Sequence, residues 1–246
     1  MMPMTSIDFI EGDCLERMGS LGLFDAIITS PPYNLGVSSG GGFSKSGSKR
    51  WKNEAVLAKG YGVHDDAMDP FEYGLWQKTF LLTAWNCLTD RGAIFYNHTP
   101  RVQAGQLQTP LDYNPGLPVR QIIIWDRGSG FNYSPTFFVP NHEWIIVFAK
   151  PEFRLKDKKV SGKGDVWRIP FASKEPHPCP FPVELPMRIL QSIEATRVLD
   201  PFMGQGTTGI ACHRNEVDFV GIELSPEYIS MAQDKLDHER SQLRFV

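Results

Sequence analysis

The chain has 246 residues, of which 41% are hydrophobic, and its formal net charge at pH 7 is −3. This length and composition predict one compact domain with a sizeable core, and the charge excludes a tight nonspecific DNA-binding protein. No apolar run reaches the roughly 20 residues that span a bilayer, so a membrane protein is not expected.

Cysteines and histidines are few and scattered. Cys14, Cys87, Cys179 and Cys212 show no paired spacing, which excludes a zinc knuckle and predicts free thiols in a reducing cytoplasm. The six histidines are also scattered, so no metal site is predicted. The first residues contain no basic region followed by a long apolar stretch, which agrees with a cytoplasmic protein.

Strand-like and helix-like segments predict an α/β fold. Helices are predicted at 71–88, 186–192, 210–214 and 227–236. The last helix has Ser225 as N-cap and Pro226 at its first position. In the helix 71–88 the residues expected to face inward are Phe71, Leu75, Phe80, Leu82 and Leu88. Parallel core strands are predicted at 7–10, 25–30, 92–97, 198–200 and 219–222, and an antiparallel edge at 121–125 and 144–148.

The second predicted strand ends in the sequence Ser30-Pro31-Pro32-Tyr33. Open α/β sheets bind ligands at the carboxyl ends of their strands. Each proline has a fixed φ and no N–H, so the turn is rigid and its carbonyls are expected to be free to accept hydrogen bonds. A tyrosine ring beside such acceptors suits a nucleobase with an exocyclic amine. The alternative is a strand stop with Tyr33 in the core.

A glycine-rich loop follows the predicted strand 198–200. Gly204, Gly206 and Gly209 fit the pattern G-x-G-x-x-G between a strand and a helix, and the next strand ends in Glu223. Such glycines allow close backbone approach to a ligand, and the acidic residue suits a ribose diol. The alternative is a glycine-rich turn with an exposed Glu223. Too few strands follow the loop for an ordinary dinucleotide fold, which predicts a circularly permuted chain.

With these motifs the chain resembles the DNA amino-methyltransferases, which use S-adenosyl-L-methionine to methylate N4 of cytosine or N6 of adenine. It resembles the beta arrangement, in which the catalytic motif precedes the cofactor motif. The resemblance implies a Rossmann-like methyltransferase fold with a mixed seven-stranded sheet and helices on both faces. It implies a single domain over 1–246, with a catalytic half at about 1–150, a short basic insert at about 150–176 and a cofactor half at about 177–246.

The resemblance also implies the site residues. Segment 30–33 matches the catalytic motif, so Ser30, Pro31, Pro32 and Tyr33 are the predicted catalytic residues. The segment 200–207 matches the cofactor motif, Glu223 the ribose-binding acid, and Gly12-Asp13-Cys14 the segment near the cofactor adenine. Segment 177–185 resembles the one that closes over the methionine end, although Phe181 stands where the family often has Lys. The predicted cofactor-binding residues are Asp13, Cys14, His177, Phe181, Asp200, Phe202, Gly204, Gly206, Thr207 and Glu223.

Two segments and one loop are expected to contact nucleic acid. Segment 36–60 carries five basic residues and one acidic residue, and segment 150–168 carries seven and three. Beside a base-binding motif both are interpreted as phosphate contacts, and otherwise as solvated surface. Phe131 and Tyr133 follow the strand 121–125 and are interpreted as a second stacking wall for the base, or as core packing. Glu143, at the start of the last edge strand, is interpreted as structural.

The predicted reaction is methylation of an exocyclic amine of a base that has been flipped out of DNA. Ser30 and the Pro31 carbonyl would accept the amine hydrogens while Tyr33 stacks on the ring. In the resembled family, Ser as the first residue of the motif is more usual for cytosine N4, which the chain is therefore expected to methylate, whereas an Asn after the motif, as at Asn34, is often seen with adenine N6. Little of the chain remains for a recognition domain, so a short target site is expected, helped by the loop 36–64 or by a second subunit in a homodimer.

Other functions remain open from the residues alone. A nicotinamide-dependent oxidoreductase would explain the glycine loop but not the segment 30–33. A noncatalytic nucleic-acid-binding module would require a decayed pocket, against which Asp200, Gly204, Gly206 and Glu223 argue. Methylation of RNA or of a protein amide by the same pocket is a further alternative.

Overall fold

The structure is a computed structural model that describes residues 5–34, 68–103, 105–130, 133–171 and 182–243. None of the helices within these ranges is long and apolar enough to cross a membrane. The strands are β1 (Ile7–Glu11), β2 (Phe24–Thr29), β3 (Leu88–His98), β4 (Arg101–Gln103), β5 (Gln106–Gln108), β6 (Val119–Asp126), β7 (His142–Ala149), β8 (Val166–Arg168), β9 (Arg197–Asp200) and β10 (Asp218–Glu223). The α-helices are α1 (Cys14–Arg17), α2 (Pro70–Asn86), α3 (Lys158–Ser161), α4 (Glu184–Leu190), α5 (Thr207–Arg214) and α6 (Pro226–Leu243).

Within the described residues, eight strands form the main sheet in the order β1-β10-β9-β2-β3-β7-β6-β8. The pairs from β1 to β3 are parallel, whereas β7 is antiparallel to both β3 and β6. The predicted mixed sheet and all seven predicted strands are therefore confirmed. The eighth strand, β8, lies in the basic segment 150–168 and pairs parallel with the end of β6. At three residues it is too short to give a periodic signal in the sequence.

Because β7 runs against its neighbours, its first residues lie at the same edge of the sheet as the last residues of β2, β3, β6, β9 and β10. We call this edge the carboxyl edge. The opposite edge holds the start of β3 and the end of β7, where the Lys150 N–H donates to the Gly92 carbonyl at 3.0 Å. Ligands of open α/β sheets bind at the carboxyl edge.

The sheet is buried between helices on both faces. Ala26 and Ile28 of β2 face the side that carries α4, α5 and α6, whereas Ile27 faces the side that carries α1 and α2. Alternation of this kind is the two-residue period of a strand, and burial on both faces explains the apolar runs at residues 26–28 in β2 and 219–222 in β10.

Helix α2 corrects one prediction from the sequence. It begins after Asp69, whose carboxylate accepts the N–H of Phe71 at 2.9 Å, and it ends before the predicted Leu88, which starts β3. Of the residues expected to face inward, Phe80 is buried, but Phe71, Leu75 and Leu82 are 79%, 58% and 46% exposed. The buried face instead consists of Tyr73, Gln77, Phe80, Leu81 and Ala84.

The reason for this rotation is a buried polar group on the inner face of α2. Gln77 Nε2 donates to the Tyr73 hydroxyl at 2.7 Å, and the Tyr96 hydroxyl donates to Gln77 Oε1 at 3.0 Å. Hydrogen bonds between buried groups offset the cost of removing them from water. A rule that places only apolar residues inside therefore assigns the wrong face.

Candidate active site

The two motifs found in the sequence meet in one pocket at the carboxyl edge. The pocket encloses about 570 Å³ of space, which includes its open mouth. Its lining joins the end of β2, the turn after β1, helix α2, the loop after β9 and the end of β10. The lining residues are Gly12, Asp13, Cys14, Pro32, Trp76, Pro201, Phe202, Gly204, Glu223, Leu224 and Tyr228.

Glu223 organises the glycine loop from the end of β10. Its Oε2 accepts the Gly204 N–H at 3.0 Å and its Oε1 accepts the Ser225 N–H at 2.9 Å. Burial raises the pKa of Glu223, while the hydrogen bonds from Ser225 and Gly204 act in the opposite direction. Each carboxylate oxygen accepts more than one hydrogen bond, so Glu223 retains acceptor capacity toward the pocket that it lines. This donor and acceptor set fits a ribose diol.

Asp200, predicted to bind cofactor, is bonded inside the protein and lies outside the pocket lining. Its carboxylate accepts hydrogen bonds from the hydroxyls of Thr29 at 2.9 Å and Thr208 at 2.6 Å, and from the Phe202 N–H at 3.2 Å. The side chain is 1% exposed, and burial raises its pKa to about 6. These bonds let Asp200 shape the loop between β9 and α5, and its contact with cofactor stays a prediction.

Gly206 and Thr207 start helix α5, also outside the pocket lining. Gly206 caps the helix with a φ of 77°, and a Cβ there would lie 2.8 Å from Ala232 Cβ on α6. Only glycine adopts this conformation without strain and allows the close approach of α6. These two residues fix where the loop ends.

The turn after β1 contributes Asp13 and Cys14 to the lining. Asp13 is the N-cap of α1, and its Oδ1 accepts the Leu15 N–H at 2.7 Å. Cys14 is buried, and burial raises the pKa of its thiol, with a smaller contribution from Asp13 in the same direction. A neutral buried thiol is a packing group and a poor nucleophile.

The predicted catalytic turn is fixed by hydrogen bonds to its backbone. The Tyr73 hydroxyl donates to the Pro32 carbonyl at 2.7 Å, and Arg101 Nη1 donates to the carbonyls of Tyr33 at 3.0 Å and Asn34 at 3.1 Å. The prediction that the carbonyls of the turn are free is therefore wrong for Pro32 and Tyr33. Within the described residues, none donates to the Pro31 carbonyl.

A buried hydrogen-bond network joins this turn to β3 and β7. The Ser30 hydroxyl lies 2.7 Å from the Tyr33 hydroxyl, which donates to Glu143 Oε2 at 3.0 Å. Asn97 Nδ2 lies 2.8 Å from the Tyr33 hydroxyl, 2.8 Å from Glu143 Oε2 and 3.3 Å from Ser30 Oγ. Arg127 Nη1 pairs with Glu143 Oε1 at 3.1 Å. Segments that are far apart in the sequence thus hold the Ser30 hydroxyl.

The ring of Tyr33 packs on a neutral histidine. The ring centroids of Tyr33 and His98 are 4.5 Å apart, and His98 Nε2 lies 2.9 Å from the Tyr73 hydroxyl. Burial lowers the pKa of His98 to about 3. His98 therefore carries no charge at neutral pH and serves the turn by packing and hydrogen bonding.

Sequence reasoning missed several residues of this region. Trp76 and Tyr228 line the pocket, and Asn97 and Arg127 join the network. The sequence predicts a structural role for Glu143, but its contacts with Tyr33 and Asn97 bring it into the site. Their positions in the sequence could have identified the residues of the network. Polar residues at the ends of β3 and β6 and at the start of β7 all lie at the carboxyl edge.

The remaining predicted contacts divide between described and undescribed residues. Tyr133 is 84% exposed in the loop between β6 and β7, which rises from the carboxyl edge. Arg168 ends β8 at the same edge, whereas Lys156 lies at the opposite edge, where its N–H donates to the Ser192 carbonyl. His177, Phe181, Phe131 and the basic segment 36–60 lie outside the described residues. The described part of the chain contains no His, Cys, Asp and Glu cluster that fits a metal ion.

Comparison with solved structures supports the fold. PvuII DNA methyltransferase, described as cytosine-N4-specific, superposes with a TM-score of 0.68 at 18% identity, over 93% of this chain and 86% of that one. TTHA0409 from Thermus thermophilus, solved with S-adenosyl-L-methionine, gives a TM-score of 0.63 at 22% identity, over 95% of this chain and 94% of that one.

Curated relatives are type II methyltransferases. M.HpaI of Haemophilus parainfluenzae is 27% identical, over 87% of this chain and 68% of its own length. M.ScaI of Streptomyces caespitosus is 24% identical, over 94% of this chain and 82% of its own length. M.Cfr9I of Citrobacter freundii is 32% identical, over 50% of this chain and 46% of its own length.

A family model for DNA methylases matches residues 24–234, which is most of the chain. This match confirms the family that the motifs indicated. The chain belongs to the N6/N4 DNA methylase family.

Proposed function

We propose that this chain methylates the exocyclic amino group of a base in DNA, with cytosine N4 as the target. The observation that carries the proposal is the shared pocket. Pro32 of the turn after β2 lines the same cavity as Gly204 and Glu223, so an amine beside the turn and a cofactor on the glycine loop would be neighbours. Juxtaposition of two reactants supplies a large part of the rate of a bimolecular reaction.

The cofactor half of the proposal assigns residues by their position in the pocket. Glu223 would bind the ribose hydroxyls, Asp13 and Cys14 would lie near the adenine, and Phe202 would pack against the ring system. His177 and Phe181 remain proposed contacts for the methionine end. When bound, S-adenosyl-L-methionine supplies an electrophilic methyl group on a sulfonium.

The base half of the proposal assigns the amine to two acceptors. Ser30 Oγ and the Pro31 carbonyl would accept the two amine hydrogens, which turns the nitrogen lone pair away from conjugation with the ring. The amine would accept the methyl group that the bound cofactor supplies and would release one proton to water. We assign to Tyr33 the stacking contact with the base. The pocket is set into the carboxyl edge of the sheet, where a base that is stacked in a duplex cannot reach it. The base must therefore leave the duplex stack.

The serine favours cytosine over adenine as the target. Ser30 is the first residue of the turn, and serine in this position is more usual for N4 enzymes of the resembled family. Adenine N6 is the second candidate, which Asn34 favours. We further propose that the described strands and helices form a single methyltransferase domain with a catalytic half and a cofactor half, and that DNA is its partner in the cytoplasm.

The test is a labelling experiment. The purified protein is incubated with tritiated S-adenosyl-L-methionine and unmodified double-stranded DNA, and the digested nucleosides are identified by mass. We expect label in N4-methylcytosine. Label in N6-methyladenine would overturn the choice of base, and a protein that binds cofactor but labels no DNA would overturn the choice of substrate.

A further inference from the structure

The buried network around Ser30 has a defined direction because one member can only accept. The side chains of Glu143 and Arg127 are 7% and 12% exposed and form an ion pair at 3.1 Å. A carboxylate so paired has no proton to give. Both groups that reach Glu143 Oε2, the Tyr33 hydroxyl at 3.0 Å and Asn97 Nδ2 at 2.8 Å, must therefore donate to it.

The directions of the other hydrogen bonds follow from the number of protons that each group carries. The Tyr33 hydroxyl has one proton, which it gives to Glu143, so it can only accept from Ser30 and Asn97. The two amide protons of Asn97 go to its two 2.8 Å partners, Tyr33 and Glu143, and none is left for the 3.3 Å contact with Ser30. The Ser30 hydroxyl must then give its proton to Tyr33, 2.7 Å away.

The orientation of the Asn97 amide agrees with this order. Its Oδ1 is buried and has no hydrogen-bond partner among the described residues. An unpaired buried oxygen is unfavourable. The reversed amide would place that oxygen 2.8 Å from the carboxylate of Glu143, where two acceptors repel each other. The carboxylate thus fixes the amide, and the amide in turn fixes the tyrosine hydroxyl.

We propose that Glu143, acting through Asn97 and Tyr33, makes Ser30 present only hydrogen-bond acceptors to the substrate. The inference rests on the proposed function and deepens it. A base with an amine at the reacting position can donate to Ser30, whereas a base with a carbonyl there cannot. Glu143 is therefore a positioning residue that makes the pocket select cytosine over uracil. If the target is adenine, the same network selects adenine over hypoxanthine.

The test reverses or breaks the chain of hydrogen bonds. In Glu143→Gln the carboxamide can donate to Tyr33, so the Tyr33 hydroxyl can turn to Ser30 and the Ser30 proton can face the substrate. Tyr33→Phe removes the acceptor of the Ser30 proton and keeps the ring. Glu152→Gln is the matched control, because Glu152 pairs with Arg91 on the exposed surface.

The measurement is the dissociation constant of two duplexes in the presence of S-adenosyl-L-homocysteine. They carry the site that the wild-type protein methylates, with cytosine or uracil at the target position, or adenine or hypoxanthine for an adenine target. The ratio of the two constants is compared between proteins, so that the different stability of the two base pairs cancels. Cofactor binding by each variant reports that it is folded.

We expect the wild-type protein and Glu152→Gln to prefer the amine-bearing duplex by the same factor. Glu143→Gln and Tyr33→Phe should each reduce this preference about tenfold or more, since a site with a fixed acceptor rejects a second acceptor strongly. Variants that bind both duplexes more weakly at an unchanged ratio would overturn the inference and leave Glu143 a structural residue. If Glu143→Gln binds no cofactor, the ratio for Tyr33→Phe decides. A wild-type protein that methylates no DNA would instead refute the proposed function.

Discussion

At the scale of single residues, Ser30 contributes one oxygen to the proposed chemistry. Replacing it by alanine removes an acceptor for the substrate amine and leaves the cofactor pocket, which it does not line, unchanged. We expect Ser30→Ala to lower kcat roughly 100-fold, by analogy with the loss of one hydrogen bond to a reacting group, with cofactor affinity unchanged. Single-turnover methylation and cofactor titration measure the two quantities. Ser20→Ala on the exposed surface is the control, and equal activity of both variants would contradict the role of Ser30.

Asp200 makes the stability of the protein depend on pH. Burial raises its pKa from 3.8 to about 6, so the folded state binds this proton more tightly than the unfolded state does. Its contribution to the free energy of unfolding therefore falls as the pH rises from about 4 to about 6, and is constant above that range.

Asp200→Asn has no such titration. We expect the unfolding free energy of this variant, relative to wild type, to increase by about 1–3 kcal/mol between pH 4 and pH 6. Denaturant unfolding across this range measures the difference, with the exposed Asp90→Asn as control. A difference between Asp200→Asn and wild type that is constant with pH would contradict the raised pKa.

At the scale of elements, helix α5 depends on the glycine that starts it. Gly206 has a φ of 77°, and a methyl group there would meet Ala232 of α6 at 2.8 Å. We expect Gly206→Ala to lower the free energy of unfolding by about 1–3 kcal/mol, through backbone strain and overpacking. Urea denaturation compares it with Gly19→Ala, where no atom lies within 4 Å of the added Cβ. Equal midpoints would contradict both the backbone strain at Gly206 and its close contact with α6.

The elements differ in how well the sequence predicts them. Strands β2 and β10 contain the apolar runs 26–28 and 219–222, so their positions follow from composition. The buried face of α2 does not follow from composition, because Tyr73 and Gln77 are buried through hydrogen bonds whose partners lie on other segments. A local sequence pattern contains no information about such partners. Strand β8 is likewise not predicted, because its pairing with β6 is not visible in its own short sequence.

The residues of the candidate site also differ in how well the sequence predicts them. Its backbone-shaped parts, the turn 30–33 and the glycine loop, are recognisable because proline and glycine restrict φ in a way that the sequence displays. Glu143 and Asn97 are ordinary polar residues whose importance comes from contacts between segments over 40 residues apart. The approach of these segments is a property of the sheet order, which the local sequence does not specify.

At the scale of the whole molecule, charge is unevenly placed on a protein of net charge −3. Arg168 lies at the carboxyl edge in register with Asp126, whereas Lys156 lies at the opposite edge. We expect Arg168→Ala to reduce the slope of log Kd against log salt concentration for DNA by up to about one, since one phosphate contact is lost. Lys156→Ala removes the same charge and should leave the slope unchanged. Equal slopes for the two variants would place no DNA phosphate at Arg168.

The sheet order also has a consequence for synthesis of the protein in the cell. Among the strands that the structure describes, β1 pairs only with β10, and β2 pairs with β9 on one side. About 200 residues separate β1 from β10, which at ribosomal rates corresponds to roughly 10–40 s of translation. During this time the apolar strands of the catalytic half emerge without one of their neighbours, so the nascent chain exposes unpaired edges that favour chaperone binding. The cofactor pocket is then completed late in synthesis, when β10 joins strands that have already left the ribosome.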